Sequence, residues 1–286
     1  MFSERIAVKC VCCESTKIRS SPAVLMPFVA HRALGWEPVI IDASWGLKTL
    51  KNGHAYTVCK SLFCRECELL FLDIRFSESE MMSLYNDYRG LDYVTLRDYY
   101  EPGYAARNNF LNNGNDYISK VEDFLRPYIS SSLRILDWGG DTGINTPFKD
   151  IAIDLDIYDI SGKSVCSEGD FVSLNEALLK SYSLIICSNV LEHVPYPKES
   201  LRQIRGIMND DAILYIEVPY EELMLDENAV LPEDKKHWHE HINFFSKKSL
   251  KILIKNAGME ILNIKKLSAK TGGNFSNIFQ IACKIE

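Results

Sequence analysis

Long apolar runs and an excess of positive charge are both missing from this sequence, and the two absences exclude whole classes of protein. No stretch reaches the roughly 18 to 20 consecutive apolar residues of a membrane-spanning helix, and residues 1–10 lack the apolar centre of a signal peptide. The formal net charge of −7 leaves no general surplus of the lysine and arginine that neutralise nucleic-acid phosphates. We therefore expect a cytoplasmic protein with no membrane span and no nucleic-acid partner.

A dense set of cysteines is also missing, and the cysteines that are present are placed unevenly. Nine cysteines in 286 residues are too few for a disulfide-dense secreted domain. Two Cys-x-x-Cys pairs nevertheless occur, Cys10 with Cys13 and Cys64 with Cys67, and this spacing can place both thiolates on one tetrahedral metal ion. The pattern predicts a structural zinc site. Cys12 could replace one of these cysteines as a ligand, and the alternative to a metal site is a set of free thiols. A redox pair is disfavoured because neither Cys-x-x-Cys pair lies at the start of a helix that follows a buried strand.

The rest of the composition is that of an ordinary globular protein. Hydrophobic residues make up 47% and charged residues 25%, and the length allows one large domain or two. We divide the chain into a cysteine-knuckle zinc-binding module at 1–75, a helical, tyrosine-rich connector or lid at 76–132, and an α/β domain at 133–286. Short strands are predicted in the module at 36–42, 55–58 and 68–72.

The connector combines a helix-start signal with a high density of tyrosine. Ser77 and Glu80 have the spacing of a capping box, which predicts a helix that begins there and ends near Gly90. Tyrosines and arginines are then interleaved from Tyr85 to Arg107. They either pack as amphipathic side chains of a connector, or form a lid whose phenols and guanidinium groups meet a polar or phosphorylated substrate.

The stretch from Leu133 to Gly143 is an apolar run that ends in an acid and opens into glycines. Such a run is typical of a buried strand, and the glycines allow the backbone to turn sharply beside a ligand at the strand's carboxyl end. A carboxylate at Asp137 would repel the pyrophosphate of a dinucleotide and favour a cationic or amino-bearing ligand. We expect ligand contacts at Asp137, Gly139, Gly140 and Gly143.

Downstream of this turn, strands and helices alternate, which predicts a parallel sheet covered by helices. The predicted elements lie at 151–160, 173–180, 184–187, 201–207, 212–218, 249–256, 261–267 and 278–284. Asp159 ends the second strand about 20 residues after the first, where a carboxylate can accept hydrogen bonds from ribose hydroxyls because neighbouring strand tips meet.

Two motifs resemble those of class I S-adenosylmethionine-dependent methyltransferases. Asp137-Trp-Gly-Gly-Asp-Thr-Gly143 is similar to their glycine-rich first motif, and Asn189-Val-Leu-Glu-His193 is similar to the segment after their fourth strand. The resemblance implies a Rossmann-like α/β fold with S-adenosylmethionine as cofactor. The sequence departs from the family pattern at Asp141, which stands where a glycine is expected.

The same resemblance implies a role for individual residues. The methionine end of the cofactor is expected near Asp137, the ribose at Asp159, and the adenine around Asp170 and Phe171. Asn189 belongs to the segment after the fourth strand and is expected at the cofactor as well.

Further stretches resemble a narrower group. Cysteine knuckles ahead of such a domain, and the segment from Glu240 to Ser246, are similar to bacterial sugar methyltransferases with an N-terminal zinc module, including C-methyltransferases of nucleotide-linked deoxysugars. The tyrosine-rich connector resembles methyltransferases found among surface-polysaccharide genes. The resemblance implies a sugar or nucleotide-sugar acceptor and O- or C-methylation. An oligomeric state is not indicated.

Methyl transfer to a hydroxyl or a carbon acid needs a base, and the histidines are the candidates. His237, His239 and His241 alternate, so on an extended segment their side chains share one face, where they could bind a metal or act as a base with partners. The alternative is a purely structural role, in which Trp238, Phe244 and Phe245 pack the loop and the histidines form hydrogen bonds with its backbone. We favour His241 as the base, then His239. His193 is a further candidate, in a position that often orients the loop in this family.

Two other functions stay open. An NAD(P)-dependent sugar-modifying enzyme would need a phosphate-binding glycine pattern followed by a helix, and the sequence matches that pattern poorly. A non-catalytic binding or scaffold protein that keeps the fold is compatible with Asp141 and with Ser183, where relatives often have aspartate.

Overall fold

The computed structural model describes residues 4–36, 59–111, 117–130, 132–224, 232, 235–271 and 274–286. Apart from Trp36, the strands predicted at 36–42 and 55–58 lie outside these ranges. The described strands form a five-stranded and a seven-stranded sheet. In chain order they are β1 (Ile18–Leu25), β2 (Cys59–Cys64), β3 (Leu70–Leu72), β4 (Arg134–Trp138), β5 (Asp154–Tyr158), β6 (Asp170–Phe171), β7 (Leu184–Ser188), β8 (Ile213–Pro219), β9 (His237–Trp238), β10 (Asn243–Phe244), β11 (Met259–Thr271) and β12 (Asn274–Ile285).

Helices occur where they were predicted but differ in extent. Those described are α1 (Pro27–Leu34), α2 (Glu78–Tyr85), α3 (Leu91–Tyr100), α4 (Tyr104–Leu111), α5 (Ile118–Leu125), α6 (Leu174–Ala177), α7 (Pro197–Ile207) and α8 (Lys247–Asn256). Two of these helices, α1 and α3, were not predicted. The capping box predicted at Ser77 and Glu80 is confirmed. The helix that it starts ends at Tyr85 rather than near Gly90, because Asn86 has already left the helical conformation. Within the described ranges, none of the helices has the length and apolarity that crossing a membrane requires.

The seven-stranded sheet has the order β11-β12-β8-β7-β4-β5-β6. The strands β6, β5, β4, β7 and β8 are parallel, whereas β12 runs antiparallel to β8 and pairs with β11 as a long hairpin. Ile185 and Ile186 of β7 are both buried, as expected for a central strand covered on both faces. The predicted α/β fold with a Rossmann-like sheet is confirmed.

The five-stranded sheet, ordered β10-β3-β2-β1-β9, draws on distant parts of the chain. Its strands β9 and β10 come from residues that we assigned to the α/β domain: His237 pairs with Val24, and Asn243 pairs with Phe71. The division of the chain at 75 and 132 stays a prediction. The late segment 237–244 thus supplies both edge strands of this sheet and is held at both of its ends.

Candidate functional site

A cleft of about 1660 Å³ opens where the parallel strands end. Its lining comes from the carboxyl ends of several strands and includes Asp137 and Gly140 beside β4, Asn189 and His193 after β7, and Glu221 after β8. This is where open α/β sheets bind ligands, because successive strands deliver their following loops to one edge. The volume exceeds the roughly 300–1,000 Å³ of a single small-molecule pocket, which is more space than one small ligand needs.

The glycine turn after β4 is closely packed. Gly139 and Gly143 both have φ +77°, and a Cβ on them would lie 2.5 Å from Val190 and 2.8 Å from Ile157. A Cβ on Gly140 would lie 2.6 Å from the carboxyl carbon of Asp137. Between β4 and β5 the described chain forms turns and the short 3-10 helix Lys149–Ile151, with no α-helix. The turn therefore lacks the helix N-terminus that a dinucleotide pyrophosphate uses.

Asp137 ends the buried part of β4 and is only 5% exposed. Its Oδ2 accepts a hydrogen bond from the Thr146 hydroxyl at 2.5 Å. Burial raises the pKa of Asp137 to about 7, the nearby carboxylates of Asp159 and Asp141 add to the rise, and Thr146 opposes it. A buried acid beside a glycine turn can receive a cationic group from the cleft.

Asp141 stands where a glycine was expected, and its backbone has a conformation typical of glycine. It has φ +53°, in the left-handed region that aspartate tolerates better than most residues. Its backbone N–H donates to Asp159 Oδ2 at 2.8 Å, and its carboxylate pairs with Lys163 at 2.9 Å. Burial raises the pKa of Asp141, while Lys163 opposes the rise. Asp159 also accepts from the N–H of Ser161, so it braces the turn from the tip of β5.

Asn189 lies at the tip of β7 with φ +54°. Its side chain donates to Glu217 at 3.0 Å, and its backbone N–H donates to the Glu217 carbonyl at 2.9 Å. Glu217 also accepts from the hydroxyls of Tyr117 and Tyr215, each at 2.6 Å. Sequence reasoning missed Glu217, although a lone carboxylate in the apolar run 212–218 was a usable signal.

The histidine candidates separate in the structure. His193 and His241 both line the cleft and their rings meet edge to face, with centroids 4.6 Å apart. His241 Nδ1 lies 2.5 Å from Glu221 Oε1. Burial alone would lower the pKa of His241, but Glu221 and the carboxylate of Glu192 raise it overall. Burial and the neighbouring His241 lower the pKa of His193 to about 3, so that His193 is neutral.

His239 lies outside the lining of the cleft. Its Nε2 pairs with Glu101, and its ring stacks on Phe28. The expected common face of His237, His239 and His241 is wrong, because the chain leaves the strand after Trp238 and bends at the next buried residue, Glu240. Among the described residues these three histidines do not form a group of metal ligands.

Glu240 anchors this bend. Its carboxylate accepts from Arg97 Nη1 at 2.8 Å and from the Tyr93 hydroxyl, both in the tyrosine-rich connector. Burial would raise its pKa, but His239 and Arg97 hold the pKa of Glu240 below the ordinary value. Tyr93 is buried, so this part of the connector packs, whereas Tyr88 and Arg89 line the cleft as a lid would.

Asp170 and Phe171 form β6 at the edge of the sheet. Phe171 is 54% exposed, and neither residue is among those that line the cleft. The strand pairs with β5, which carries Asp159 just beyond its end.

The two cysteine knuckles have the same local structure. In each, the residue after the second cysteine, Glu14 or Glu68, has a left-handed backbone and donates its N–H to the carbonyl of the first cysteine, at 2.9 and 2.8 Å. The sulfur atoms of Cys10, Cys13, Cys64 and Cys67 all lie within 4.8 Å of one another. Cys12 is outside this group and donates instead to the Ser249 carbonyl.

The distances between the paired sulfurs are close to those of a zinc site. Cys10 and Cys67 are 3.5 Å apart, as are Cys13 and Cys64. Thiolates bound to one tetrahedral zinc at about 2.3 Å lie roughly 3.8 Å apart. The hydrogen bond with Cys67 and burial raise the pKa of the Cys10 thiol in the metal-free protein. The residues therefore fit a closed zinc site in both number and geometry.

A family model described as "Methyltransferase domain" matches residues 110–264, which is more than half of the chain. No curated protein matches. Among similar solved structures is a Burkholderia thailandensis 1,6-didemethyltoxoflavin-N1-methyltransferase with bound 1,6-didemethyltoxoflavin and S-adenosylhomocysteine, at 15% identity and a TM-score of 0.48, covering 67% of this chain and 88% of that one. Another is an Anabaena variabilis S-adenosylmethionine-dependent methyltransferase, at 14% identity and a TM-score of 0.45, covering 64% and 93%.

Proposed function

This chain belongs to the methyltransferase-domain family, and from that premise we propose that it methylates a sugar, as a nucleotide-linked sugar or a precursor of a surface polysaccharide, on oxygen or on carbon. S-adenosylmethionine is the methyl donor. The observation that carries the proposal is the cleft, which has room for a cofactor and an acceptor and places His241 with Glu221 on the wall of the cleft.

The cofactor is proposed to bind over the glycine turn. Its α-amino group would meet the carboxylate of Asp137, and Gly139, Gly140 and Gly143 allow the backbone to approach it. Asp159 would hold the ribose through lone pairs left beside its two backbone hydrogen bonds. Asp170 and Phe171 stay the candidates for the adenine end because β6 lies next to the tip of β5.

His241 is proposed to take the proton of the acceptor. Methyl transfer is an in-line displacement at the sulfonium methyl carbon, and the acceptor becomes a better nucleophile as its proton leaves. The Nδ1 atom of His241 is held by Glu221, so its Nε2 is the nitrogen available to the acceptor. His193 packs edge to face against this ring and orients it. His239 is bound to Glu101 away from the cleft and holds the loop.

The four clustered cysteines are proposed to bind one structural zinc ion. The ion would keep Cys10, Cys13, Cys64 and Cys67 as thiolates, and four protein ligands would leave it no open position for chemistry.

The decisive experiment is incubation with labelled S-adenosylmethionine and a panel of nucleotide sugars, followed by mass analysis of whatever gains a methyl group. His241→Ala is expected to lower turnover by about 10²-fold or more, the usual contribution of a general base, while cofactor affinity by calorimetry stays nearly unchanged. His31→Ala is the matched control, because His31 contacts Tyr100 and does not line the cleft.

Three results would count against parts of the proposal. Unchanged turnover in His241→Ala would remove the histidine from the base role. Methylation of other small molecules but of no sugar would correct the acceptor class. Cofactor binding without transfer to any acceptor would favour the scaffold protein instead.

A further inference from the structure

Three potential metal ligands lie close together on the wall of the cleft. Side-chain ligand atoms of Glu192, His193 and His241 lie within 4.8 Å of one another, and all three residues line the cleft. Glu192 is only 2% exposed, and neither of its side-chain oxygens has a hydrogen-bond partner. A buried carboxylate in this condition carries a large desolvation cost. A bound cation or a hydrogen-bond donor from the cleft would relieve this cost.

The partners of the two histidines direct their lone pairs toward this group. His193 Nδ1 lies 3.2 Å from the carbonyl oxygen of Glu240, which can only accept, and 2.7 Å from the Tyr85 hydroxyl, which can accept as well. His241 Nδ1 faces the carboxylate of Glu221 at 2.5 Å. We assign the ring proton to Nδ1 in both rings, which leaves the lone pair on Nε2. His193 Nε2 is 3.8 Å from Glu192 Oε1.

We propose that Glu192, His193 and His241 bind a divalent transition-metal ion through one carboxylate oxygen and the two Nε2 atoms. Two imidazoles and one carboxylate suit Mn²⁺, Fe²⁺, Co²⁺ or Zn²⁺ better than Ca²⁺ or Mg²⁺. The Glu221 and Glu240 oxygens behind the rings are the outer partners that orient metal-binding histidines. Bonds of about 2.0–2.2 Å would draw the three ligands together by roughly 1 Å and leave coordination positions for a ligand from the cleft.

The cation changes how an acceptor is activated. An acceptor hydroxyl bound to it would have a lowered pKa, so its proton would pass more readily to water in the open cleft. His241 is then a ligand, and the base role proposed above belongs to the metal-free protein. This consequence rests on the proposed methyl transfer, whereas binding of the cation does not depend on it.

Cobalt titration tests the site directly. Co²⁺ is added to the full chain with zinc already in its cysteine cluster, and the visible spectrum is recorded. A nitrogen and oxygen site gives d–d bands without thiolate-to-cobalt charge transfer, whereas cobalt entering the cysteine cluster gives that charge transfer. We expect the sulfur-free spectrum in the wild type and its loss in Glu192→Gln, which removes the charge but keeps the shape. Glu221→Gln is expected to weaken binding by about 10- to 100-fold.

Glu222→Gln is the matched control, because Glu222 also lines the cleft but is exposed and outside the group. It is expected to keep the cobalt spectrum. Circular dichroism and S-adenosylmethionine binding show whether each variant is folded. A wild type without the sulfur-free spectrum, or a folded Glu192→Gln that keeps it at unchanged affinity, would overturn the proposal. A failed sugar assay would leave the spectrum intact, so the two failures are distinguishable.

Discussion

Asp137 shows how one side chain at a strand end can couple cofactor binding to pH. The acid is buried beside the glycine turn, and its pKa is raised to about 7. Below that pH the folded protein holds it protonated, and above that pH it is ionised. A cationic amino group favours the ionised form, so cofactor binding at Asp137 as proposed must first remove the proton wherever the pH lies below the raised pKa.

S-adenosylmethionine affinity is therefore expected to fall as the pH drops from 7 toward 5, by about tenfold for each pH unit well below the pKa. Asp137→Asn is expected to bind more weakly at neutral pH and to lose this slope, because the amide does not titrate. Calorimetry between pH 5 and 7 measures both. An equal slope in wild type and variant would show that another group takes up the proton.

The residue scale is also where prediction from sequence is weakest. Asp137 and Asp159 were foreseeable because strand tips converge at one edge of a parallel sheet. Glu192, Glu217 and Glu221 were not, since their importance depends on partners far along the chain, such as Tyr117 for Glu217 and His241 for Glu221. Only the isolation of Glu217 in an apolar strand distinguished it in the sequence.

At the scale of one element, we expect the left-handed backbone of Asp141 in the turn after β4 to lower the stability of the protein. Asp141→Gly removes the Lys163 pair and relaxes the left-handed backbone, whereas Asp141→Ala removes the same pair and keeps the strain. The alanine variant is expected to be less stable than the glycine variant by about 1 kcal/mol. Chemical denaturation measures the difference, and equal stabilities would mean that this position carries no such strain.

Strands could be predicted from the sequence where burial on both faces of the sheet alone determines their residue pattern. β4, β7 and β8 are apolar runs in the sequence, and all three lie in the core of the sheet. The structure of segment 237–241 could not be predicted in this way. Alternate residues share one face only as long as the strand continues. Here the strand ends at Trp238, and Glu240 turns inward to Arg97 and Tyr93, which are more than 140 residues earlier in the chain.

On the scale of the whole molecule, the cysteine cluster is connected to the cleft through α8 and the segment 237–244. The Ser246 hydroxyl donates to the Cys67 carbonyl, and Asn256 donates to the carbonyl of Cys12. The same segment carries His241 and pairs with the N-terminal sheet at both ends. The glycine turn lies on other strands, so loss of the proposed zinc ion should affect the two halves of the cleft unequally.

Cys13→Ser is accordingly expected to abolish zinc binding and to lower the free energy of unfolding by about 4 kcal/mol or more, as loss of a structural metal does. Turnover should fall more than S-adenosylmethionine affinity, because the His241 segment loosens while the Asp137 turn stays. Metal analysis, thermal unfolding and calorimetry give the three measurements. Cys12→Ser, which changes a neighbouring buried thiol outside the cluster, should keep its zinc. The prediction would be contradicted if Cys13→Ser retained zinc, or if it lost cofactor affinity and turnover equally.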